Sequence, residues 1–370
     1  MKIKPFKLEQ YFSKYEFSSR YLLSSSDCDG LPLDYVLGCA DTSQLELWNG
    51  LRLGYTESKG LPLLRETIAR QYKTIGAEEV LVLSPGEANF IFMNVALNKN
   101  DHVVCMAPMY QSLYQIAESV GCNISYWKPD TSNWHYAIDD LKTLINNNTR
   151  ALILNFPHNP TGFVPTKTEL NEIVALARKN NLLIFSDEMY FELVYDSGNN
   201  IPAMCDLYEN AISLWGMAKS FGLAGLRLGW VASKNKKLLQ DMLDYKDYLT
   251  ICNNAMSEIL SIIALTHKDK FIVPNVEKIK RNIELFSAFV KAHSNFIDFS
   301  RPVAGSTAFI KLNMEESTLA YCDRLANEAG IMLLPSEMFD FDSGHARIGF
   351  GRKSMPEALD AWGRYIANIH

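Results

Sequence analysis

Short apolar runs alternate with longer stretches of helical periodicity through the middle of the chain. Residues 80–83, 103–106, 124–127, 151–156, 182–185, 211–215 and 228–232 are each only four to six residues long. Runs of that length, bounded by Gly, Pro, Asn and Asp, read as buried strands rather than helices. Between them, residues 88–97, 111–120, 141–145 and 168–180 have helical character. In the last of these, Leu170, Ile173, Val174, Leu176 and Ala177 share one face. Ser84-Pro85-Gly86-Glu87 reads as a turn before residue 88. Strands and helices alternating at this spacing predict an α/β fold: a three-layer, mostly parallel sheet with helices on both faces.

The two ends of the chain follow another pattern. Residues 1–40 are mixed, with turn signals at Asp27-Cys28-Asp29-Gly30. Residues 236–293 read as long helices. Beyond them, 306–312 and 346–350 are strand candidates, and 317–330 and 356–369 are helix candidates. A smaller α+β domain built from both chain ends follows. The expected division is a large domain at 43–270 and a small one from 1–42 with 271–370.

Composition narrows the field. The 370 residues carry 36 Lys and Arg against 42 Asp and Glu, a net charge of −6. A dedicated nucleic-acid binder would carry a basic stripe instead. No apolar run approaches the ~18 residues of a membrane helix, and the opening MKIKPFKLEQYFSKYEF lacks the apolar core of a signal peptide. The seven cysteines form no C-x-x-C pair, so free thiols in a reducing cytoplasm are expected. The seven histidines show no ligand spacing, so no metal site is expected.

In an open parallel sheet, ligands collect beyond the carboxyl ends of the strands. After 80–83 comes the small-residue turn at Gly86, opening a helix whose free N–H groups suit an anion. After 151–156, two X-Pro bonds in NFPHNPTG (155–162) present the Asn159 amide on a stiff backbone. Asp187 follows a run that should be buried, where an unpaired carboxylate is costly; a helix cap is the plainer reading of it. After 211–215, Lys219 stands among small and apolar residues, a setting that favours an amine nucleophile, and Arg227 follows eight positions later. One ligand would use them all: an aldehyde for Lys219, a basic ring nitrogen for Asp187, a phosphate for Gly86 and Arg227, and a phenolic oxygen for Asn159 and Tyr190. Pyridoxal 5′-phosphate has all four. A nicotinamide enzyme is disfavoured, because no G-x-G-x-x-G follows a strand.

These motifs, with Tyr55, Lys59-Gly60, Leu64-Arg65, Pro108-Met109-Tyr110 and Arg347, resemble the class I/II aminotransferases of fold type I over nearly the whole chain. The resemblance implies roles. Lys219 matches the lysine that forms the internal aldimine and moves the proton. Asp187 matches the carboxylate that keeps the ring nitrogen protonated. Asn159 and Tyr190 match the donors to the ring oxygen, and Tyr110 the aromatic stacked on the ring. Gly86, Glu87 and Ala88 match the phosphate turn, and Arg227 the phosphate arginine. Arg347 matches the fork that takes the substrate carboxylate, with Asn159 and Gly38 beside it. Tyr55 matches a tyrosine that reaches the phosphate of a second subunit, which implies a homodimer with shared sites. The family often has hydroxyl residues one and three positions before the lysine; Ala218 and Gly216 stand there instead.

The expected activity is amino-group transfer between an L-amino acid and a 2-oxo acid. The alternative is elimination, replacement or cyclisation on an amino-acid side chain with the same cofactor. A binding module without turnover is disfavoured by the intact Lys219. Neither nucleic acid nor membrane is an expected partner. The side-chain pocket is not legible: Trp127, Tyr15 and Phe339 are candidates more at home in the core, and Arg20 or Arg52 would serve an acidic co-substrate.

Overall fold

The computed structural model describes residues 2–342 and 344–369. Its main sheet has seven strands in the order Val80–Leu83, Gly229–Ala232, Ala211–Gly216, Leu183–Asp187, Thr149–Asn155, His102–Met106 and Asn123–Trp127. Gly229–Ala232 runs antiparallel to both its neighbours, and every other pairing is parallel. Successive side chains of a strand point to opposite faces, and here both faces are covered. Leu81 and Leu83 join one apolar cluster with Ile91, Phe92, Leu113 and Leu170, while Val80 and Val82 join another with Leu64, Ile68, Ile259 and Ile263. Burial on both faces is why the inner strands read as apolar runs, whereas the edge strand Asn123–Trp127 is exposed or half-buried along most of its length.

Several boundaries shift. The helix expected from residue 88 begins at Pro85 and runs Pro85–Ala96. Ser84 and Glu87 form a reciprocal cap, with Pro at the first helical position, so a sequence that reads as a turn is a helix start. The helix expected at 141–145 is Ile138–Leu144. The region 236–293 resolves into Lys236–Lys246, Ala255–Thr266 and Asp269–Ala292.

A second, antiparallel sheet orders Leu334–Pro335, His345–Gly349, Thr307–Leu312 and Ile297–Asp298. Helices Thr318–Ala329 and Met355–Ile369 accompany it. The chain ends meet here: Tyr21–Leu22 pairs in parallel with Ile331–Met332. We propose the division at 43–270 against 1–42 and 271–370 on this pairing. The segment after Tyr21–Leu22 lies directly on the second sheet. A side chain at Gly349 would come within 1.7 Å of the Ser25 carbonyl oxygen, so only glycine lets the two backbones approach this closely.

Helix Lys7–Tyr15 falls within the stretch that sequence left mixed. It docks through buried Leu8, Tyr11 and Tyr15, a Tyr15 hydroxyl donating to Asp323, and the Lys7 N–H donating to Gln111. Among the described residues no helix is long and apolar enough to cross a membrane.

Candidate functional site

A cavity of about 390 Å³ opens where the main-sheet strand ends meet the second sheet and helix Lys7–Tyr15. Its walls include Gly86, Tyr110, Asn159, Asp187, Tyr190, Lys219, Arg227 and Arg347. Residues scattered over 260 positions of sequence thus converge on one space, because each follows or lies on a strand whose end faces it.

Asp187 closes strand Leu183–Asp187 and is only 7% exposed. Its carboxylate accepts from the Met189 N–H at 3.1 Å. Burial pushes the carboxyl up to about 6, against the pull of that N–H and of the Lys219 charge. Asn155, its direct neighbour on the adjoining strand, fixes the local geometry. The Asn155 side chain donates to the Asp187 carbonyl at 2.8 Å and accepts from the Asn159 N–H at 2.8 Å. One buried amide therefore sets two strand-end loops against each other.

Arg347 lies on the interior strand His345–Gly349 of the second sheet and is 2% exposed. Two of its nitrogens donate to the Ser24 carbonyl at 3.0 and 2.8 Å, and a third donates to the Asn159 side-chain oxygen at 3.1 Å. Its guanidinium carbon lies 5.5 Å from the Phe339 ring centre and 5.9 Å from that of Phe12. Among the described residues no carboxylate pairs with it. A buried cation without a counter-ion, facing a cavity, is built for an incoming anion.

The Lys219 amine donates to the Ser26 hydroxyl at 2.9 Å. Ser26 is itself held by its carbonyl, which accepts from the Ser306 hydroxyl at 2.6 Å. Ala218 also lines the cavity. Gly216 is where it is for packing reasons. It pairs with Gly229 across the antiparallel strands, and a side chain there would lie 2.8 Å from the Gly229 Cα and 3.0 Å from the Leu228 carbonyl. Gly216→Ser is therefore expected to lower stability by about 1–3 kcal/mol, the usual cost of overpacking, whereas Ala218→Ser on the cavity wall is expected to be nearly neutral. Urea unfolding of both variants checks this; a Gly216→Ser protein as stable as the parent would refute the packing argument.

At the other pole, Gly86 sits in the first turn of helix Pro85–Ala96, where the earliest N–H groups lack helical acceptors. A side chain at Gly86 would meet nothing within 4 Å, so the space above it is open. Arg227 lines the same cavity in a left-handed backbone conformation (φ +50°). Tyr110 donates its hydroxyl to Glu9 at 2.6 Å and packs on Phe6 at 4.9 Å between ring centres.

Four expected residues do not line this cavity. Ala88 is buried in the core. Glu87 turns back to its cap and accepts from the Thr250 hydroxyl at 2.7 Å. Gly38 ends helix Leu33–Gly38 and does not line the cavity; the backbone against Arg347 is that of Ser24. Tyr55 stands 90% exposed, outside the cavity. Of the pocket candidates, Trp127 and Tyr15 belong to the core, Phe339 packs on Arg347, and neither Arg20 nor Arg52 reaches the cavity. Sequence reasoning missed Ser26, Asn155, and the acidic and aromatic residues of the N-terminal helix. An amide closing a buried strand was a readable signal for Asn155; the others have no local one.

The family model described as aminotransferase class I and II matches residues 21–361. Capreomycidine synthase of Streptomyces vinaceus is 27% identical over 318 residues, covering 85% of this chain and 79% of that protein. Glutamate-pyruvate aminotransferase AlaA of Haemophilus influenzae is 28% identical over 318 residues, covering 80% and 78%. The crystal structure of a PLP-dependent aminotransferase from Streptococcus suis superposes with a TM-score of 0.93 at 25% identity, covering 100% of this chain and 99% of that one. A family match across nearly the whole chain, on a fold of this kind, means that the chain belongs to the class I and II aminotransferases, fold-type-I enzymes that use pyridoxal 5′-phosphate.

Proposed function

We propose that the protein moves an amino group between an L-amino acid and a 2-oxo acid, with Lys219 as the catalytic residue. The observation that carries this reading is one cavity holding both the Lys219 amine and the uncompensated Arg347 guanidinium. The donor set also fits the cofactor: a buried carboxylate at Asp187, open space over Gly86 at a helix start, and Arg227 beside it. When bound, pyridoxal 5′-phosphate supplies an electron-accepting ring that stabilises negative charge at the substrate Cα.

The chain's own residues do the rest. Asp187 would keep a proton on the ring nitrogen. Gly86, through its backbone, and Arg227 would hold the phosphate. Asn159 and Tyr190 would donate to the ring oxygen, and Tyr110 would cover a ring face. Arg347 grips the substrate carboxylate, with the Asn159 amide and the Ser24 backbone setting its orientation. Lys219 would hold the cofactor through its aldehyde and, once free, would serve as the base that takes the substrate Cα proton. Ser26 accepts from the amine and so aims it. A homodimer belongs to this reading: Tyr55 and Leu53, 90% and 82% exposed, would meet a second copy, where Tyr55 would reach the other phosphate.

Mixing the loaded protein with an amino acid in a single turnover is expected to convert the cofactor to its amine form, and a 2-oxo acid to restore it. A cofactor that never takes its amine form sinks transamination. The similarity to a capreomycidine synthase across 85% of this chain favours a second reading, in which the side chain is eliminated, replaced or cyclised. That reading predicts ammonia or a rearranged amino acid with no 2-oxo acid consumed.

A further inference from the structure

One wall of the cavity is acidic. Glu9 on helix Lys7–Tyr15, Glu16 at its end, and Asp27 line the same space as Lys219 and Arg347. Asp27 is already committed, accepting from Arg352 at 3.0 and 3.1 Å. Among the described residues Glu9 accepts only the neutral Tyr110 hydroxyl and forms no ion pair. The Glu16 carboxylate has no hydrogen-bond or ion-pair partner among the described residues. Burial raises its proton affinity and Asp27 and Glu9 raise it further, against the opposing charges of Arg352 and Lys219. Glu16 also feels the Lys219 charge, and Arg347 feels those of Asp27 and Glu9. The acidic residues thus share one cavity with the amine and the guanidinium, the space in which the substituents of a substrate Cα must lie.

Arg347 gives an independent sign that an amino acid enters here, since its buried charge is held by the Ser24 carbonyl and the Asn159 amide and has no carboxylate pair among the described residues. The other cations of the cavity, Lys219 and Arg227, have tasks in the proposed reaction, and neither Arg20 nor Arg52 lines it. An acidic substrate side chain would meet two carboxylates that form no ion pair among the described residues, and no cation left free of another task.

We propose that the preferred amino donor carries a cationic side chain, an ammonium or guanidinium received by Glu9 and Glu16 while Arg347 takes the α-carboxylate. This rests on the amino-acid reading of the cavity given above. It places the N-terminal helix in the specificity machinery.

The test titrates the cofactor-loaded protein with L-lysine, L-arginine, their neutral counterpart L-norleucine, and L-glutamate, following the cofactor spectrum and the heat of binding. Lysine and arginine are expected to half-saturate at concentrations at least about tenfold below norleucine and glutamate, the scale of one partly buried charge pair. Glu16→Gln is expected to erase the preference of lysine over norleucine, and Glu16→Arg to turn it towards glutamate. Norleucine or glutamate binding as tightly as lysine and arginine to the parent overturns the proposal, whatever the variants do. So does a Glu16→Arg protein with unchanged preference. If no amino acid shifts the spectrum or releases heat, the underlying reading falls too, which separates the two failures.

Discussion

Lys219→Ala is expected to yield a folded protein that holds no cofactor covalently and transfers amino groups at least about 10²–10⁴ times more slowly, the range for loss of a positioned acid–base group. The fold should tolerate the change. Among the described residues the amine makes a single hydrogen bond, to Ser26, and the side chain is only half-buried at the cavity edge. The chemistry should not tolerate it, because Lys219 is the one lysine lining the cavity among the described residues. Borohydride reduction of the loaded parent, followed by peptide mass measurement, should mark Lys219, and the variant should carry no mark. A label on another lysine, or a variant that still turns over at the parental rate, removes the central residue of the proposed function. Ser26→Ala makes a graded comparison, since it leaves the amine in place and takes away only the hydroxyl that orients it.

What could be read without coordinates follows from burial. Most of the main strands were legible because they are buried on both faces: Val80 and Val82 pack in one apolar cluster and Leu81 and Leu83 in another, so all four are apolar and no alternation is needed. Asp187 and Lys219 stood out because a charge directly after such a run is expensive unless something uses it. Contacts that span the chain were not legible. Ser26 meets Lys219 across 193 positions, and a serine in SSSDCDG carries no mark of that. Helix Lys7–Tyr15 is short, and its apolar face of Leu8, Tyr11 and Tyr15 sits among charged neighbours. The two-residue strands Tyr21–Leu22 and Ile331–Met332 have no periodicity to detect. Gly216 was visible as a departure from its family, but its cause is the register that sets it against Gly229. Gly38 was placed by resemblance alone, and the structure puts Ser24 against Arg347 instead.

Asp187→Asn is expected to move stability and cofactor binding in opposite directions. Burial raises this carboxyl from its ordinary 3.8 to about 6. Because the folded value lies above the unfolded one, the folded protein holds the proton more tightly between about pH 4 and pH 6. The group's contribution to stability therefore falls as pH rises through that window and stays low above it, by roughly 2–3 kcal/mol at neutral pH. Asparagine carries no charge to desolvate, and its oxygen can still accept the Met189 N–H that now reaches the carboxylate at 3.1 Å. The cofactor-free variant should therefore be more stable than the parent at pH 7.5, with the gain nearly gone at pH 4, where the parental carboxyl is protonated as well. With cofactor the sign reverses. A neutral amide cannot hold a proton on the ring nitrogen, so affinity should fall about 10–100-fold, the worth of a hydrogen bond to a charged group. Urea unfolding of the cofactor-free proteins at the two pH values, beside equilibrium dialysis of the cofactor, measures both effects. A variant that is less stable at pH 7.5, or that binds the cofactor as tightly as the parent, would mean that this buried carboxylate serves the fold and not the ring.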